Sequence, residues 1–466
     1  MAAMHDVLTL LGPDGPIARR LGGRYEQRPE QTAMVEAVAD TIANRQVLLA
    51  EAGTGVGKSF AYLLPAIAAI DEQRGQTPFS DEAGPGAERD TRRKRIVVST
   101  HTIALQEQLI DKDVPLLQAA LPTEFTAVLV KGRGNYVSLR RANRAWERQA
   151  QLFDESDQVR SLRQVIDWTR TTDDGSLASL PQLDSREVWP EVQSDSEDCL
   201  GKRCPTFDKC FYQSARRRMQ GADLLVVNHA LFFADLALRA DGVGLLPAYD
   251  AVILDEAHTI EDVAAEHFGL KLSKSGLIWQ LGRLYQARRS RGVLATLRPK
   301  IDPDLFEAAA VAVEEARMAT DDLFDRLVRW QDERGRDNGR IDSPPEVDNL
   351  LTPALETLSL QLLRLKDRLR DEDDRLEVGA HALRTAGQAK VVTALLDQTL
   401  DDSVYWMDVV RAGRRERVTL HAAPIEVGPI LKRRLFEATD AGGDPLPVVL
   451  TSATLATGGG PGRNRS

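Results

Sequence analysis

The sequence predicts an α/β fold, and three observations carry that prediction. Short apolar runs recur along the chain and stop at small or polar residues: Val47–Ala50, Ile96–Thr100, Asp223–His229, Ala251–Leu254 and Pro447–Leu450. Runs of this length with β-branched residues read as buried strands of a parallel sheet. Between the first run and the helical pattern Phe60–Leu64 lies the glycine-rich stretch Glu51–Ser59. From about Leu270 to Arg415 strand signals fade and long amphipathic segments replace them, which reads as an inserted helical domain.

At 466 residues the chain has room for two to four domains, and 42% hydrophobic with 28% charged residues is ordinary for a globular protein. A net charge of −10 argues against a uniformly basic nucleic-acid binder and leaves room for a local basic groove. The N-terminus lacks a basic stretch followed by an apolar core, and no apolar run approaches the roughly 18 residues of a membrane span. The expected location is therefore the cytoplasm.

The segment Tyr25–Gln31 precedes a helical pattern of Met34, Val35, Val38 and Ile42. Gln31 carries an amide that can both donate to and accept from adenine, with Arg28 nearby. The loop that follows reads Gly53-Thr54-Gly55-Val56-Gly57-Lys58-Ser59, with Ala52 where the strict motif has glycine. Glycines let backbone N–H groups turn inward, and the following helix adds its positive end, so the loop makes a phosphate cradle. Lys58 would reach the β- and γ-phosphates and Ser59 would hold Mg²⁺. Residues 71–94 are polar and aperiodic and are expected to be a flexible surface insertion. Ser99 to Thr102, at a strand end before a helix, suits contact with a nucleic-acid backbone.

Charge then alternates. Lys131–Arg148 carries six basic residues against one acidic, residues 149–198 twelve acidic against four basic, and Cys199–Arg218 six basic against one acidic. The two basic blocks could meet and neutralise phosphates, or they could be solvated helix faces. All three cysteines, Cys199, Cys204 and Cys210, fall within twelve residues, a crowding that suggests a metal or cluster site more than a disulfide. Asp255-Glu256-Ala257-His258 closes an apolar run. In a chain with a phosphate loop, Asp255 would bind Mg²⁺ and Glu256 would polarise the attacking water. Farther on, Asp304–Glu333 and Val347–Asp371 read as amphipathic helices, with Leu355, Leu358, Leu362, Leu365 and Leu369 as core. Arg334–Pro345 reads as a polar linker, Ser403–Met407 and Val418–His421 as strands, and Gly458–Ser466 as a disordered tail.

Taken together, Arg28–Gln31, Glu51–Ser59, Ser99–Thr102, Lys131–Tyr136, the three cysteines, Asn228-His229, Asp255–His258 and Thr451–Leu455 resemble the DinG/XPD group of superfamily 2 DNA helicases, on its bacterial DinG side. The resemblance covers about Tyr25 to Leu455. It implies a RecA-like P-loop NTPase domain in three pieces, 1–131, 213–265 and 416–456. An iron–sulfur-type insertion at 132–212 and a helical arch insertion at 266–415 would interrupt it, with a tail at 457–466. It implies ATP and Mg²⁺ as cofactors, single-stranded, forked or gapped DNA as partner, and 5′ to 3′ translocation driven by ATP hydrolysis. Ser452, Thr454 and His258 would couple nucleotide state to DNA grip.

Two departures shape the expectation. The family's 4Fe–4S cluster uses four cysteines, and Ser138 stands where the first belongs. A serine oxygen is a poorer iron ligand than thiolate. The choices are a cluster with one non-cysteine ligand, a three-iron form, zinc on three cysteines, or free thiols. Also, the family continues with a second motor domain bearing arginines that face the γ-phosphate, and Ala456–Ser466 does not resemble it. The chain alone is thus expected to bind nucleotide and hydrolyse it slowly, with the second motor domain supplied, if at all, by a separate chain. The alternative is an ATP-binding, DNA-binding module without motor activity.

Overall fold

The computed structural model describes residues 7–53, 55–76, 94–153, 156–239, 242–412, 415–440 and 442–454. Of the expected flexible insertion at 71–94, residues 71–76 instead continue the helix Lys58–Gln76, while 77–93 and the expected tail lie outside the described residues. The chain divides into two compact units, one of residues 1–131, 216–267 and 426–466, the other of 132–215 and 268–425.

The first unit is built on a six-stranded parallel sheet in the order β1-β10-β5-β2-β4-β3. Its strands are β1 (Val47–Glu51), β2 (Ile96–Thr100), β3 (Ala127–Leu129), β4 (Leu224–Asn228), β5 (Ala251–Asp255) and β10 (Val448–Ser452). Every pairing is parallel, so all strands end on one side. The central strands β2 and β5 are buried throughout, as their unbroken Ile, Val and Leu content requires. β1 departs from the buried strand expected of it. It lies at the sheet edge, where Val47 is 50% and Leu49 64% exposed. Helices α1 (Pro29–Ala43) and α2 (Lys58–Gln76) pack against the sheet through Met34, Val35, Val38, Leu63, Leu64 and Ile67. This is a mostly parallel sheet flanked by helices, as a RecA-like α/β domain requires.

The second unit joins the cysteine-bearing segment to the helical one. Helix α3 (Leu139–Glu147) belongs to the first. Helices α4 (Lys274–Leu284), α5 (Pro303–Arg334), α6 (Leu351–Arg368) and α7 (Glu372–Leu396) belong to the second. A four-stranded antiparallel sheet in the order β6-β9-β8-β7 completes it: β6 (Leu270–Ser273), β7 (Arg340–Ile341), β8 (Ser403–Ala412) and β9 (Arg415–Pro424). Leu355, Leu358, Leu362 and Leu365 of α6 are fully buried with Phe324, Leu327 and Val392, so the leucine stripe is core. Two expectations are corrected. The polar stretch 334–345 contains β7, held by antiparallel pairing of Ile341 with Tyr405. Residues 416–424, assigned from sequence to the motor domain, pair with β8 and β6, because their alternating Val418, Leu420 and Ala422 fill the helical core.

Four of the six cations of the first basic block, Arg140, Arg141, Arg144 and Arg148, form neither a phosphate patch nor a solvated face but are ion-paired. Arg140, Arg144 and Arg148 recur every fourth residue and share one side of α3. They meet the first two turns of α7, which carry Asp373, Asp374 and Glu377. Arg140 reaches Asp373 at 2.8 Å and Asp198 at 2.5 Å. Arg144 reaches Asp374 at 2.8 Å and Glu377 at 3.0 Å. Arg148 bonds Asp374 and lies 2.9 Å from Glu377, and Lys300 lies 2.7 Å from Asp374. Asp374 is fully buried beneath three cations. Carboxylates at the start of α7 also suit its dipole. The acidic block supplies the other half: Glu191 is held by Arg283 at 2.5 Å, and Asp195 by Arg384. Charges so paired are unavailable to nucleic acid.

Candidate functional site

The predicted nucleotide residues come together where the parallel strands of the first unit end. The glycine loop leaves β1 and enters α2 at Lys58. Gly55 and Gly57 take φ of +89° and +82°, where a side chain is strained. A Cβ on Gly57 would lie 2.2 Å from Nε2 of Gln31, and that amide donates to the Gly57 carbonyl at 3.0 Å. Gln31 is therefore joined to the loop. Val56 lies in the loop, partly exposed, and Gly53 has open space beside it. Thr54 lies outside the described residues. Arg28 is not drawn in; it pairs with Glu26 at 2.6 Å at the exposed start of α1.

β10 lies between β1 and β5, so Ser452 sits between the loop and the acidic pair. Asp255 ends β5 and is 5% exposed. Glu256 follows in the left-handed region, φ 56° and ψ 45°, a conformation costing a non-glycine residue about 1 kcal/mol or more. Its backbone is secured by Thr259, whose hydroxyl donates to the Glu256 carbonyl at 3.0 Å. The turn aims the Glu256 carboxylate at both Lys58 Nζ, 3.6 Å away, and His258 Nδ1, 3.4 Å away. His258 Nδ1 also lies 2.8 Å from the Ser452 hydroxyl. Lys58, Glu256, His258 and Ser452 thus form one continuous polar chain. Thr454 is exposed beyond it, its N–H 3.4 Å from Ser452 Oγ.

Beneath this chain lie groups that sequence reasoning missed. Tyr62 is fully buried one turn into α2, and its hydroxyl donates to Asp255 Oδ2 at 3.2 Å. Burial, then the adjacent Asp255, raises its pKa well above the ordinary value, so it is a fixed donor. Asp113 is held by the Ser59 hydroxyl, and burial raises its carboxyl; its Oδ2 is buried with no partner. Asp255 is raised as well, first by burial and then by Glu256, against the pull of Lys58. Ser59 and Asp255 are hard oxygen donors beside an orphaned carboxylate oxygen, a donor set that fits Mg²⁺. Neither carries a local signal in the sequence: Tyr62 and Asp113 become partners of Asp255 and Ser59 only in the fold.

The strand-end hydroxyls expected to touch DNA do not both face outward. Ser99 and Thr100 are fully buried, and Ser99 Oγ lies 2.7 Å from His229 Nδ1. Burial lowers the His229 pKa to about 4, so its ring is neutral at pH 7. His101 and Thr102 are exposed, with Thr102 capping the next helix through Leu105 N–H.

In the second unit Cys199, Cys204 and Cys210 border one small cavity together with Ser138. All three thiols are free and partly buried. Ser138 caps α3, its hydroxyl accepting from Arg141 N–H at 3.4 Å. Among the described residues no three His, Cys, Asp or Glu side chains stand in a metal-holding arrangement. The Ser138 oxygen, which borders the same cavity as the three thiols, is already engaged in capping α3. No helix among the described residues is long and apolar enough to cross a membrane.

Comparison with known proteins adds the following. The family model described as DEAD/DEAH box helicase matches residues 28–141, and that described as DEAD_2 matches residues 178–277. The chain is 36% identical over 271 residues to the ATP-dependent DNA helicase YoaA of Escherichia coli, covering 57% of this chain and 38% of that protein. It is 27% identical over 459 residues to the ATP-dependent DNA helicase DinG of Photobacterium profundum, covering 92% and 62%. To the ATP-dependent helicase DinG of Mycobacterium tuberculosis it is 28% identical over 460 residues, covering 94% and 61%. The chain therefore spans between 38% and 62% of the length of these relatives.

Proposed function

Because this chain belongs to the DinG-type family of DEAD/DEAH-box helicases, we propose that it is the ATP-hydrolysing part of a DNA helicase that moves 5′ to 3′ on single-stranded DNA. The observation that carries the reading is the Lys58–Glu256 approach of 3.6 Å across the strand ends of a parallel sheet. The loop backbone from Gly53 to Gly57 and the start of α2 cradle the phosphates, and Lys58 stays with the β- and γ-phosphates as charge shifts to the leaving oxygen. Ser59 and Asp255 would hold Mg²⁺, which supplies further charge neutralisation when bound. Glu256, strained toward the phosphate side, takes the proton of the attacking water. Gln31 would recognise adenine once released from Gly57. The polar chain from Glu256 through His258 to Ser452 is placed to report the state of the γ-phosphate to β10 and Thr454.

The test is ATP turnover by the purified chain with and without single-stranded DNA. Mg²⁺-dependent binding of a fluorescent ATP analogue with DNA-stimulated hydrolysis is expected. Analogue binding without any turnover, even with a second motor domain supplied, would favour the reading as a DNA-binding module. Neither binding nor turnover would sink both.

The cavity shared by Cys199, Cys204 and Cys210 supports an iron–sulfur cluster on three thiolates, with Ser138 in the fourth position. The ring of paired charges around it would give such a cluster a rigid seat. Iron and sulfide in near-stoichiometric amounts in anaerobically purified protein are the expected result. Zinc alone, or no metal, would remove the cluster from this reading.

A further inference from the structure

The antiparallel sheet of the second unit has two unlike faces. Tyr405, Met407, Val418, Leu420, Ala422, Leu272 and Ile341 point into the helical core. Strand alternation sends their neighbours to the other face. There the register lines up one residue from each of four strands: Arg340 opposite Trp406, Trp406 opposite His421, and His421 opposite Lys271. The two central members stack, with ring centroids 4.8 Å apart and an interplanar angle of 3°. A tryptophan–histidine stack with a cation at each end thus crosses the whole sheet. His421 is braced by Asp408 at 3.0 Å, so the ring is held upright. One register step on, Thr419 faces Asp408 across β8 and β9, and Arg417 faces Val410. Lys271 and Arg417 are exposed and have no carboxylate partner among the described residues. Arg340 shares Asp342 with Arg336. Against Lys271, Arg340 and Arg417 the face sets Asp408, with Asp342 beside Arg340 at its edge, so it carries a small excess of positive charge.

A partly exposed aromatic stack with Arg340 at one end and the carboxylate-free Lys271 at the other, on an open sheet face, has a chemical match. Every nucleobase offers a π-face, and every nucleotide a negative charge within reach of it. We propose that this face is a binding site for single-stranded nucleic acid, separate from the nucleotide site. A base stacks beside the Trp406–His421 pair, and the backbone is held by Lys271, Arg340 and Arg417. Recognition would tolerate any sequence, because neither ring reads a base edge. Asp408 works through His421, holding the stack rather than touching the ligand. The site rests on residues outside the ATP machinery and goes beyond the function proposed above.

The test uses the full chain without ATP, with fluorescent dT20 and rU20 as probes. Trp406→Leu is expected to weaken binding by about 5-fold or more, in line with the loss of one base–aromatic stack, while Trp406→Phe retains most of the affinity. The double change Lys271→Ala with Arg417→Ala should lower the slope of log affinity against log salt by about 1.4, two single-strand phosphate contacts. An iodo-uracil oligonucleotide should cross-link to Trp406 under ultraviolet light. Equal effects on dT20 and rU20 would support a site for either source, and an effect on one alone would identify it. Wild-type affinity in Trp406→Leu with no cross-link at Trp406 overturns this site and leaves the proposed helicase function standing. Absence of any binding by the wild-type chain overturns both. Circular dichroism of each variant shows whether it has folded, and the phenylalanine variant carries the comparison if leucine does not.

Discussion

Asp374→Leu is expected to be among the most destabilising single changes in the second unit, lowering its melting temperature by roughly 6–15 °C. Asp374 is fully buried, and its two oxygens face Arg144, Arg148 and Lys300. Removing one partner from a buried ion pair leaves the others uncompensated, typically about 3–5 kcal/mol. Arg144 keeps Asp373 and Glu377, and Arg148 keeps Glu377, which places the loss at the lower end. In a domain of this size each kcal/mol is worth about 2–4 °C. The carboxyl of Asp374 sits below its ordinary range: burial pulls it up, and Lys300, Arg148 and Arg144 together outweigh that pull. Asp195 and Glu191 are depressed in the same way, burial again opposed by Arg384 and by Arg283 respectively. With folded pKa values below the unfolded ones, the unfolded chain takes up protons first as pH falls. The stabilisation is therefore full above about pH 4.5 and drains away as pH drops through the folded values. Thermal unfolding between pH 7 and pH 3 measures both effects. If the variant melts with the wild type at pH 7, or keeps the full acid dependence, the network is ornamental.

Glu256→Gln and Lys58→Ala should separate hydrolysis from binding. The glutamine keeps the size of the side chain and loses the proton acceptor, along with the charge facing Lys58 and His258. Turnover is expected to fall by about 10²–10⁴-fold with ATP affinity little changed. Lys58→Ala removes the only side-chain cation shown beside the acidic pair among the described residues, and should cost about 10²–10³-fold in turnover. Unlike the glutamine variant, it should also weaken analogue binding. Steady-state turnover paired with equilibrium binding of a fluorescent analogue reads the two apart. A Glu256→Gln protein that hydrolyses ATP at the wild-type rate would remove Glu256 from the proton-transfer role.

The parts of the site that were legible in sequence are those whose chemistry is local. The loop from Gly53 to Ser59 announces itself, because positive φ at Gly55 and Gly57 requires glycine and the helix must begin at Lys58. Asp255 and Glu256 announce themselves by closing a fully apolar strand. The strand runs and the leucine stripe of α6 follow from period alone. Tyr62 and Asp113 did not, since a tyrosine in a helix and an aspartate beyond the next strand become partners of Asp255 and Ser59 only when the strand ends converge.

Charge was the least legible property. Six basic residues in 131–148 look like a phosphate-binding surface when nothing else is known. Which carboxylates face them is decided by how α3 and α7, more than 200 residues apart, pack together, and the packing buries Asp374 beneath the cations. The same holds for the row from Arg340 to Lys271, assembled by register across four strands. By itself the sequence determined the parallel α/β unit, its phosphate loop and its acidic pair, because backbone conformation and strand burial depend on neighbouring residues. Only the tertiary structure decided which charges are spent on each other and which remain for a ligand, because pairing energies depend on distance and burial between segments the chain separates.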